Sequence, residues 1–292
     1  MQPDNQNRIL VVKVGTSTLT DADGRLDRSF LIDFTSQLAA QRQQGWNVIL
    51  VTSGAIRAGQ ETLDRRSVRN GRPGANEASP DPESEVQTSL PYKQAAAAIG
   101  QGRLMHTYTE AFAWRNIDCA QVLLTRDDVL DSRRLENARN TLRMLLSLGV
   151  IPIINENDTV AVDEIRFGDN DNLAALVATV IQADLLLILS DVEGLYAGEF
   201  RGDSSLSSDS NTVSKPIPVV NCIDETIQAL AGDTTGTVGT GGMRTKVEAA
   251  RLATEAGIRT VIARGRRPDV VSEVTCGMAV GTTFLPKERL AQ

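Results

Sequence analysis

The sequence has little of what several common kinds of site require. It contains a single histidine, His106, among 292 residues, so a Ser-His-Asp triad or a multi-histidine metal site is hard to build. Its three cysteines lie far apart and form no C-x-x-C pair, which argues against a disulfide framework or a structural zinc. We expect a cytoplasmic protein, because a reducing compartment suits unpaired cysteines.

Long apolar runs and clustered positive charge are lacking as well. No segment approaches the roughly 20 apolar residues that span a bilayer, and the polar N-terminus does not resemble a signal peptide. The formal charge is −7 with scattered basic residues, whereas a nucleic-acid-binding face needs a basic stripe. We therefore expect neither a membrane nor a nucleic acid as a partner.

The apolar residues, 41% of the chain, are mostly aliphatic and alternate between strand-like runs and helical spacing. This alternation predicts an α/β fold, with helices packed on a largely parallel sheet, in one domain over residues 1–292. The predicted strands are Arg8–Val14, Asn47–Val51, Cys119–Leu124, Val150–Ile154, Leu185–Leu189, Arg259–Ala263 and Val280–Leu285. The predicted helices are Ser29–Gln44, Lys93–Trp114, one or two within Arg126–Gly149, Leu173–Ile181, Ile223–Ala231 and Met243–Ala256. Within Arg126–Gly149, four leucines are expected to turn towards the core: Leu142, Leu145, Leu146 and Leu148.

Residues 64–92 differ from the rest of the chain in composition. They are rich in proline, glycine, serine and charge and contain almost no apolar side chains, which predicts a long, mobile surface loop. A solvated loop is favoured over a lid or a partner contact. The serine-rich segment 198–215 is predicted to be a second polar loop.

Two polar clusters lie next to predicted elements in the middle of the chain. Asn155–Asp158 follows where the strand Val150–Ile154 is expected to stop, and Asp169–Asn172 opens the next helix. Ligands of open α/β sheets bind outside the carboxyl ends of the strands. We expect a site for a polar ligand here, although capping and turn formation explain several of the asparagines about equally well.

Two lysines are placed where a phosphate group would need them. Lys13 lies inside an apolar strand, and snorkelling to the sheet edge explains it about as well as function does. Lys246 follows the glycine-rich run Gly236–Gly242 at the start of a helix, where backbone N–H groups can hold phosphate oxygens. The run is not a Walker A loop, and the chain has no G-x-G-x-x-G motif.

Phosphoryl transfer needs positioning and charge neutralisation more than covalent chemistry. Asp171, in the second polar cluster, is a carboxylate that can hold both lysines in place. A carboxylate acceptor has a pKa near ~4.3 and is ionised at neutral pH, so it needs no general base. This suits a chain with one histidine.

Six motifs, found in order along almost the whole chain, resemble the glutamate 5-kinase branch of the amino-acid kinase family. They are V-V-K-V-G-T-S-T-L, V-T-S-G-A-I-R-A-G, K-Q-A-A-A-A-I-G-Q, N-E-N-D-T-V, F-G-D-N-D-N-L-A-A and G-T-G-G-M-R-T-K. The resemblance implies a three-layer αβα sandwich. It also implies phosphorylation of the L-glutamate γ-carboxylate with ATP and Mg²⁺, the first step of proline biosynthesis.

The resemblance also implies roles for individual residues. Lys13 and Lys246 would neutralise the transferring phosphoryl group, and Asp171 would orient them. The implied glutamate-binding residues are Ser53, Asn155, Asp158 and Asn170. The implied ATP-binding residues are Lys13, Ser190, Asp191, Thr240, Gly241, Gly242, Met243, Arg244, Thr245 and Lys246. No protein ligand for the metal is expected, because ATP phosphates would hold most of the Mg²⁺.

The family implies further properties of the whole molecule. Feedback inhibition by L-proline, assembly into dimers or tetramers and hand-over of the product to glutamyl-phosphate reductase are expected. Many members carry a C-terminal PUA domain, which we do not expect here because the chain ends at Gln292. Two alternatives stay open: a kinase for another amino-acid carboxylate, and a non-catalytic sensor of proline or glutamate.

Overall fold

A computed structural model describes residues 8–69, 89–161, 170–197, 215–232 and 242–287, with side chains for all of these except 66–69. The strands are β1 Ile9–Val14, β2 Asn47–Val51, β3 Cys119–Leu124, β4 Ile151–Glu156, β5 Leu185–Ser190, β6 Val219–Val220, β7 Arg259–Arg264 and β8 Thr282–Phe284. The helices before β4 are α1 Thr16–Leu19, α2 Arg28–Gln43, α3 Ala55–Arg69, α4 Leu90–Ala113, α5 Arg126–Leu130 and α6 Ser132–Ser147. Those after it are α7 Asn170–Ile181, α8 Glu225–Leu230, α9 Met243–Glu255 and α10 Val270–Thr275.

The strands form one sheet in the order β3-β4-β2-β1-β5-β7-β8-β6. Every pairing is parallel except that of β7 with β8, which is antiparallel. Strands β2 and β5, on either side of β1, are apolar except for one terminal residue each, as expected for a parallel sheet that is covered on both faces.

Two apolar layers cover the two faces of the sheet. Because side chains alternate along a strand, Leu10, Val12 and Val14 of β1 pack against one layer, built from α2, α4 and α10. Val11 packs on the other layer, built from α6, α7 and α9, and Lys13 lies on that same face. The predicted three-layer αβα sandwich is confirmed, and Lys13 is directed towards α7 and α9.

Helices α3 and α4 approach each other unusually closely at two glycines. A Cβ on Gly59 would lie 1.8 Å from the carbonyl oxygen of Ala96, and one on Gly100 would lie 1.8 Å from that of Ala55. Neither contact leaves room for a side chain. The two helices therefore behave as one packed unit.

Several sequence predictions need correction. The segment predicted as loop 64–92 is shorter, because α3 continues to Arg69 and α4 begins at Leu90 after the N-cap Ser89. Leu148 does not face the core. It is the C-cap of α6, after the last helical residue, and its side chain is 68% exposed. The last strand is only Thr282–Phe284, and helix α10 was not predicted. Residues 70–88 and 198–214, the remainder of the two predicted loops, lie outside the described residues.

The predicted end of the fourth strand is also wrong. Asn155 and Glu156 do not follow the strand but form its last two residues, and both are buried. The reason is the neighbouring strand, because β3 supplies Leu123 and Leu124 as their ladder partners. Among the described helices, none has the length and apolar content that a membrane crossing would demand.

Candidate active site

The strands β1, β2, β4 and β5 are parallel, so their carboxyl ends lie on the same side of the sheet. Most of the predicted site residues lie at these carboxyl ends. Parallel strands direct their carboxyl ends to one side, so polar residues at these ends converge although the sequence separates them widely. The turn after β2 contains Ser53, β4 ends with Asn155 and Glu156, and β5 ends with Ser190. The first residues of α7 and α9 close the site from the face on which Lys13 lies.

Lys13, Asp171 and Lys246 form a buried cluster of charges. The Nζ of Lys13 lies 2.5 Å from Oδ1 of Asp171, and the Nζ of Lys246 lies 3.0 Å from Oδ2. The three side chains are 4%, 0% and 8% exposed, in that order. The structure brings these three predicted residues into contact, since Asp171 binds one lysine with each oxygen.

The burial of these charges suggests a functional role rather than a contribution to stability. Two ammonium groups share one carboxylate, so these three groups carry a formal charge of +1. Taking such groups out of water costs several kcal/mol per ion, and even a matched buried pair often does not repay that cost. A buried charge cluster of this kind is therefore weak evidence for stability and is a candidate for a functional role.

Thr245 adds a neutral contact to the cluster. Its hydroxyl lies 3.2 Å from Oδ2 of Asp171 and 2.9 Å from the backbone oxygen of Gly242. Gly242 is the N-cap of α9 and makes no side-chain cap, so the first N–H groups of this 13-residue helix face the end where Lys246 also lies. A helix N-terminus of this kind favours anions.

Asn170 binds the ends of two strands through a single amide group. Its Nδ2 lies 2.7 Å from the backbone oxygen of Thr52, 2.9 Å from Oγ of Ser53 and 2.9 Å from Oδ1 of Asn155. Its own Oδ1 is buried and, within the part of the chain that is described, has no hydrogen-bond partner. The structure thus brings together three of the four predicted glutamate-binding residues and leaves a buried acceptor among them.

The fourth of these residues, Asp158, lies in the turn that follows β4. Backbone N–H groups of Val160 and Ala161 donate to the carbonyl oxygen of Asn157, 3.2 Å in each case, and close the turn around Asp158. Asp158 is half-buried there. The structure therefore places this carboxylate in a closed turn, three residues after Asn155.

Gln101 belongs to the same amide network, and the sequence analysis gave it no role. Its Oε1 accepts a 2.9 Å hydrogen bond from Nδ2 of Asn155, while its Nε2 is buried without a partner among the described residues. A second buried contact lies beside it, the 2.8 Å hydrogen bond between the hydroxyls of Thr52 and Tyr108. Burial raises the pKa of Tyr108 well above its usual range, so this hydroxyl stays protonated. The sequence did contain a signal for Gln101. It is a glutamine in the alanine-rich segment K-Q-A-A-A-A-I-G-Q, part of which forms a buried face of α4.

The residues predicted to bind ATP are only partly described. Ser190 is buried at the end of β5 and donates a 3.0 Å hydrogen bond to Oδ1 of Asp191, which is exposed. Gly242, Met243, Arg244, Thr245 and Lys246 form the N-cap and first turn of α9. Thr240 and Gly241 lie outside the described residues.

A cavity of about 430 Å³ lies between α8 and α9, next to Arg244. None of the described residues that line it belongs to the lysine–aspartate cluster, so the cavity alone does not define the reaction centre. The described residues contain no group of three histidine, cysteine or acidic side chains arranged to hold a metal ion.

Comparison with known proteins gives consistent results. Residues 8–264 match the model of the amino acid kinase family. Proteins named glutamate 5-kinase are 44% identical in Pelobacter propionicus, 47% in Herpetosiphon aurantiacus and 46% in Moorella thermoacetica. The alignments cover 95%, 95% and 98% of this chain and 67%, 68% and 69% of those relatives, so the chain spans about two thirds of their length.

Solved structures of similar fold are more distant in sequence. Carbamate kinase from Giardia lamblia, bound to AMP-PNP, has a TM-score of 0.63 at 16% identity and covers 97% of this chain and 100% of its own. UMP kinase from Ureaplasma parvum has a TM-score of 0.60 at 13% identity, with coverage of 96% and 99%. These two likenesses bear on the fold alone. The family match and the close relatives show that the chain belongs to the amino acid kinase family, in its glutamate 5-kinase branch.

Proposed function

We propose that the chain transfers the γ-phosphoryl group of ATP to the side-chain carboxylate of L-glutamate, giving L-glutamyl 5-phosphate and ADP. The observation that carries the proposal is the buried Lys13–Asp171–Lys246 cluster beside the amide network of Asn170. The relatives named glutamate 5-kinase support glutamate as the acceptor.

The chemistry suits a site that lacks a histidine base. The acceptor carboxylate, with a pKa near ~4.3, is ionised at neutral pH, so its oxygen attacks phosphorus without losing a proton. The new P–O bond forms as the bond to the β-phosphate oxygen breaks, and that oxygen leaves with the electron pair as part of ADP. The main obstacle is repulsion between two anions, which positive charge fixed at the site relieves.

In this proposal Lys13 and Lys246 neutralise the phosphoryl group, and Asp171 holds the two ammonium groups in place. Thr245 supports Asp171 through its hydroxyl. Because both oxygens of Asp171 already bind lysines, the donor set fits a Mg²⁺ ion held mainly by ATP phosphates rather than by the protein. When bound, that ion supplies further positive charge at the phosphates.

The amino acid would occupy the region around the amide network. Ser53, Asn155 and Asn170 would contact its polar groups, and Asp158 would pair with its ammonium group. ATP would bind across the end of β5, at Ser190 and Asp191, and over the first turn of α9, with Thr240 and Gly241 completing that contact. The N-terminus of α9 favours the phosphates at this position.

The biological setting is proposed from the same relatives. The reaction would be the first step of proline biosynthesis in the cytoplasm, with feedback inhibition by L-proline at or overlapping the glutamate site. Assembly into dimers or tetramers and hand-over of the acyl phosphate to glutamyl-phosphate reductase would follow. An acyl phosphate is reactive towards water, so a consuming enzyme nearby would be an advantage.

The decisive experiment is a hydroxamate assay with ATP, Mg²⁺ and glutamate, in the presence and absence of proline. Hydroxylamine traps the acyl phosphate, so colour development reports the reaction itself. A panel with aspartate and acetylglutamate tests the alternative of another carboxylate acceptor, and preference for either would overturn our choice of substrate. Binding of glutamate or proline without turnover would instead favour a sensor.

A further inference from the structure

Two glutamines on α4, Gln94 and Gln101, make hydrogen bonds that the proposed reaction does not use. Oε1 of Gln101 accepts from Nδ2 of Asn155 at 2.9 Å, and Nε2 of Gln94 donates to the backbone oxygen of Ala161 at 3.1 Å. Asn155 and Ala161 are the two ends of the segment 155–161, which contains the closed turn after β4. Each end of that segment is therefore attached to the same helix.

The spacing of the two glutamines fits the segment that they hold. They are seven residues apart, which is about two helical turns and roughly 10.5 Å along the axis, so both lie on one face of α4. The later glutamine contacts the earlier residue of the segment, which means that the segment runs antiparallel to the helix. Asp158 is the middle residue of the segment, three residues from either attachment.

Helix α4 is itself held firmly against the rest of the site. Gly100, next to Gln101 in sequence, lies so close to α3 that a Cβ there would be 1.8 Å from the carbonyl oxygen of Ala55. Ala55 is the first residue of α3, directly after the turn that contains Ser53 and Gly54. The hydroxyl of Tyr108, also on α4, binds that of Thr52 at 2.8 Å. One helix thus contacts both the turn after β2 and the turn after β4.

We propose that Gln94 and Gln101 are positioning residues that hold the segment 155–161 at a fixed distance from the turn after β2, so that both parts of the amino-acid site keep their spacing. This inference rests on the proposed function, because it assigns the segment 155–161 to glutamate binding. Gln101 acts through Asn155, and Gln94 acts through the backbone of Ala161. Neither residue touches the phosphoryl group, so their effect falls on glutamate affinity rather than on the chemical step.

The test compares Gln94→Ala and Gln101→Met with the control Gln43→Ala, an exposed glutamine on α2. A typical net hydrogen-bond contribution corresponds to a change of about three- to tenfold in an equilibrium constant. We therefore expect KM for glutamate to rise by about three- to tenfold in each α4 variant, with KM for ATP and kcat within about twofold of the parent. Equal changes in both KM values, or a fall in kcat without a change in KM for glutamate, would overturn the positioning role.

Hydrogen–deuterium exchange supplies a measurement that does not depend on activity. The amides of Val160 and Ala161 are protected by bonds to Asn157, so loss of an attachment is expected to speed their exchange several-fold in both α4 variants and not in the control. Unchanged exchange would refute the inference even if KM rises. Failure of the unaltered protein to phosphorylate glutamate would refute the proposed function instead. In that case, faster exchange in the two variants would still show that the glutamines hold the segment 155–161, but not that the segment binds glutamate.

Discussion

Replacing Asp171 by asparagine removes the charge that separates two buried ammonium groups while preserving the shape of the side chain. The two Nζ atoms bind different oxygens of one carboxylate, at 2.5 and 3.0 Å, so both ammonium groups lie close to the same side chain. Two like unit charges about 5 Å apart repel by about 3 kcal/mol at an effective dielectric constant of about 20. This value agrees with the roughly 3–5 kcal/mol that breaking a buried ion pair costs.

The loss should appear in both stability and turnover. A destabilisation of about 3 kcal/mol lowers Tm by roughly 5 °C in a chain of 292 residues. Because both ammonium groups lose the carboxylate that positions them for the transition state, kcat should fall by about 100-fold or more. ATP supplies negative charge at the same place, so it should raise the Tm of Asp171→Asn by more than that of the parent. Differential scanning fluorimetry with and without ATP, together with the hydroxamate assay, measures all three quantities.

A matched control uses the same substitution at the amino-terminal ends of the strands, away from the site. Asp184 precedes β5, is exposed and accepts a 2.7 Å hydrogen bond from the N–H of Ile9. Asp184→Asn should retain parental kcat and show no extra response to ATP. If Asp171→Asn keeps kcat within threefold of the parent, or loses no more Tm than the control, the reasoning about the charge cluster is wrong.

Three further predictions concern other parts of the molecule. Lys246→Met should reduce kcat by about 100-fold while KM for glutamate changes little, and a variant that keeps parental turnover would remove Lys246 from the proposed mechanism. Gly100→Ala should destabilise the protein by about 1–3 kcal/mol because its Cβ meets the backbone of α3. Gly102→Ala on the same helix, where an added Cβ has nothing within 4 Å, should be neutral or stabilising by up to about 1 kcal/mol. Urea unfolding measures both changes, and equal effects would contradict the close packing of α3 and α4. Asp27 caps α2, and the N–H of Phe30, with help from Arg266, holds the pKa of its carboxyl below the usual 3.8. A lowered pKa in the folded state contributes stability above the unfolded value and loses it as pH falls through the folded value. Asp27→Ala should therefore cost about 1 kcal/mol near pH 7 and progressively less below pH 4, and a pH-independent difference would refute the assignment.

The fold was accessible from sequence wherever an apolar run was long and bounded by polar residues. The strands β1, β2 and β5 and the helices α7 and α9 were predicted within a few residues, because burial on both faces leaves a continuous aliphatic signal. Helix α10 was missed because it has only six residues and follows Asp269, which has a left-handed φ of 55° that no sequence pattern announced. The end of β4 was placed too early because the ladder with β3, a tertiary contact, keeps polar residues in the strand.

The site was accessible only in part. Polar residues at strand ends predicted a crevice, and the family resemblance supplied the roles of Lys13 and Lys246. No local pattern could have shown that Lys246 meets Asp171, which is 75 residues away, or that Gln101 meets Asn155, which is 54 residues away. Such contacts depend on how helices cross the sheet, and that is decided by packing rather than by spacing along the chain.

Asn170 and Asp171 are consecutive residues at the start of α7, yet one belongs to the amide network and the other to the charge cluster. Their Cα atoms are ~3.8 Å apart because a trans peptide bond joins them, so covalent geometry, and not packing, sets the separation between the two halves of the proposed reaction centre. A small shift of α7 relative to the sheet would carry acceptor and donor contacts together. The contacts that Asn170 and Asp171 make are therefore coupled, because such a shift changes both contacts at once and leaves the distance between the two residues unchanged.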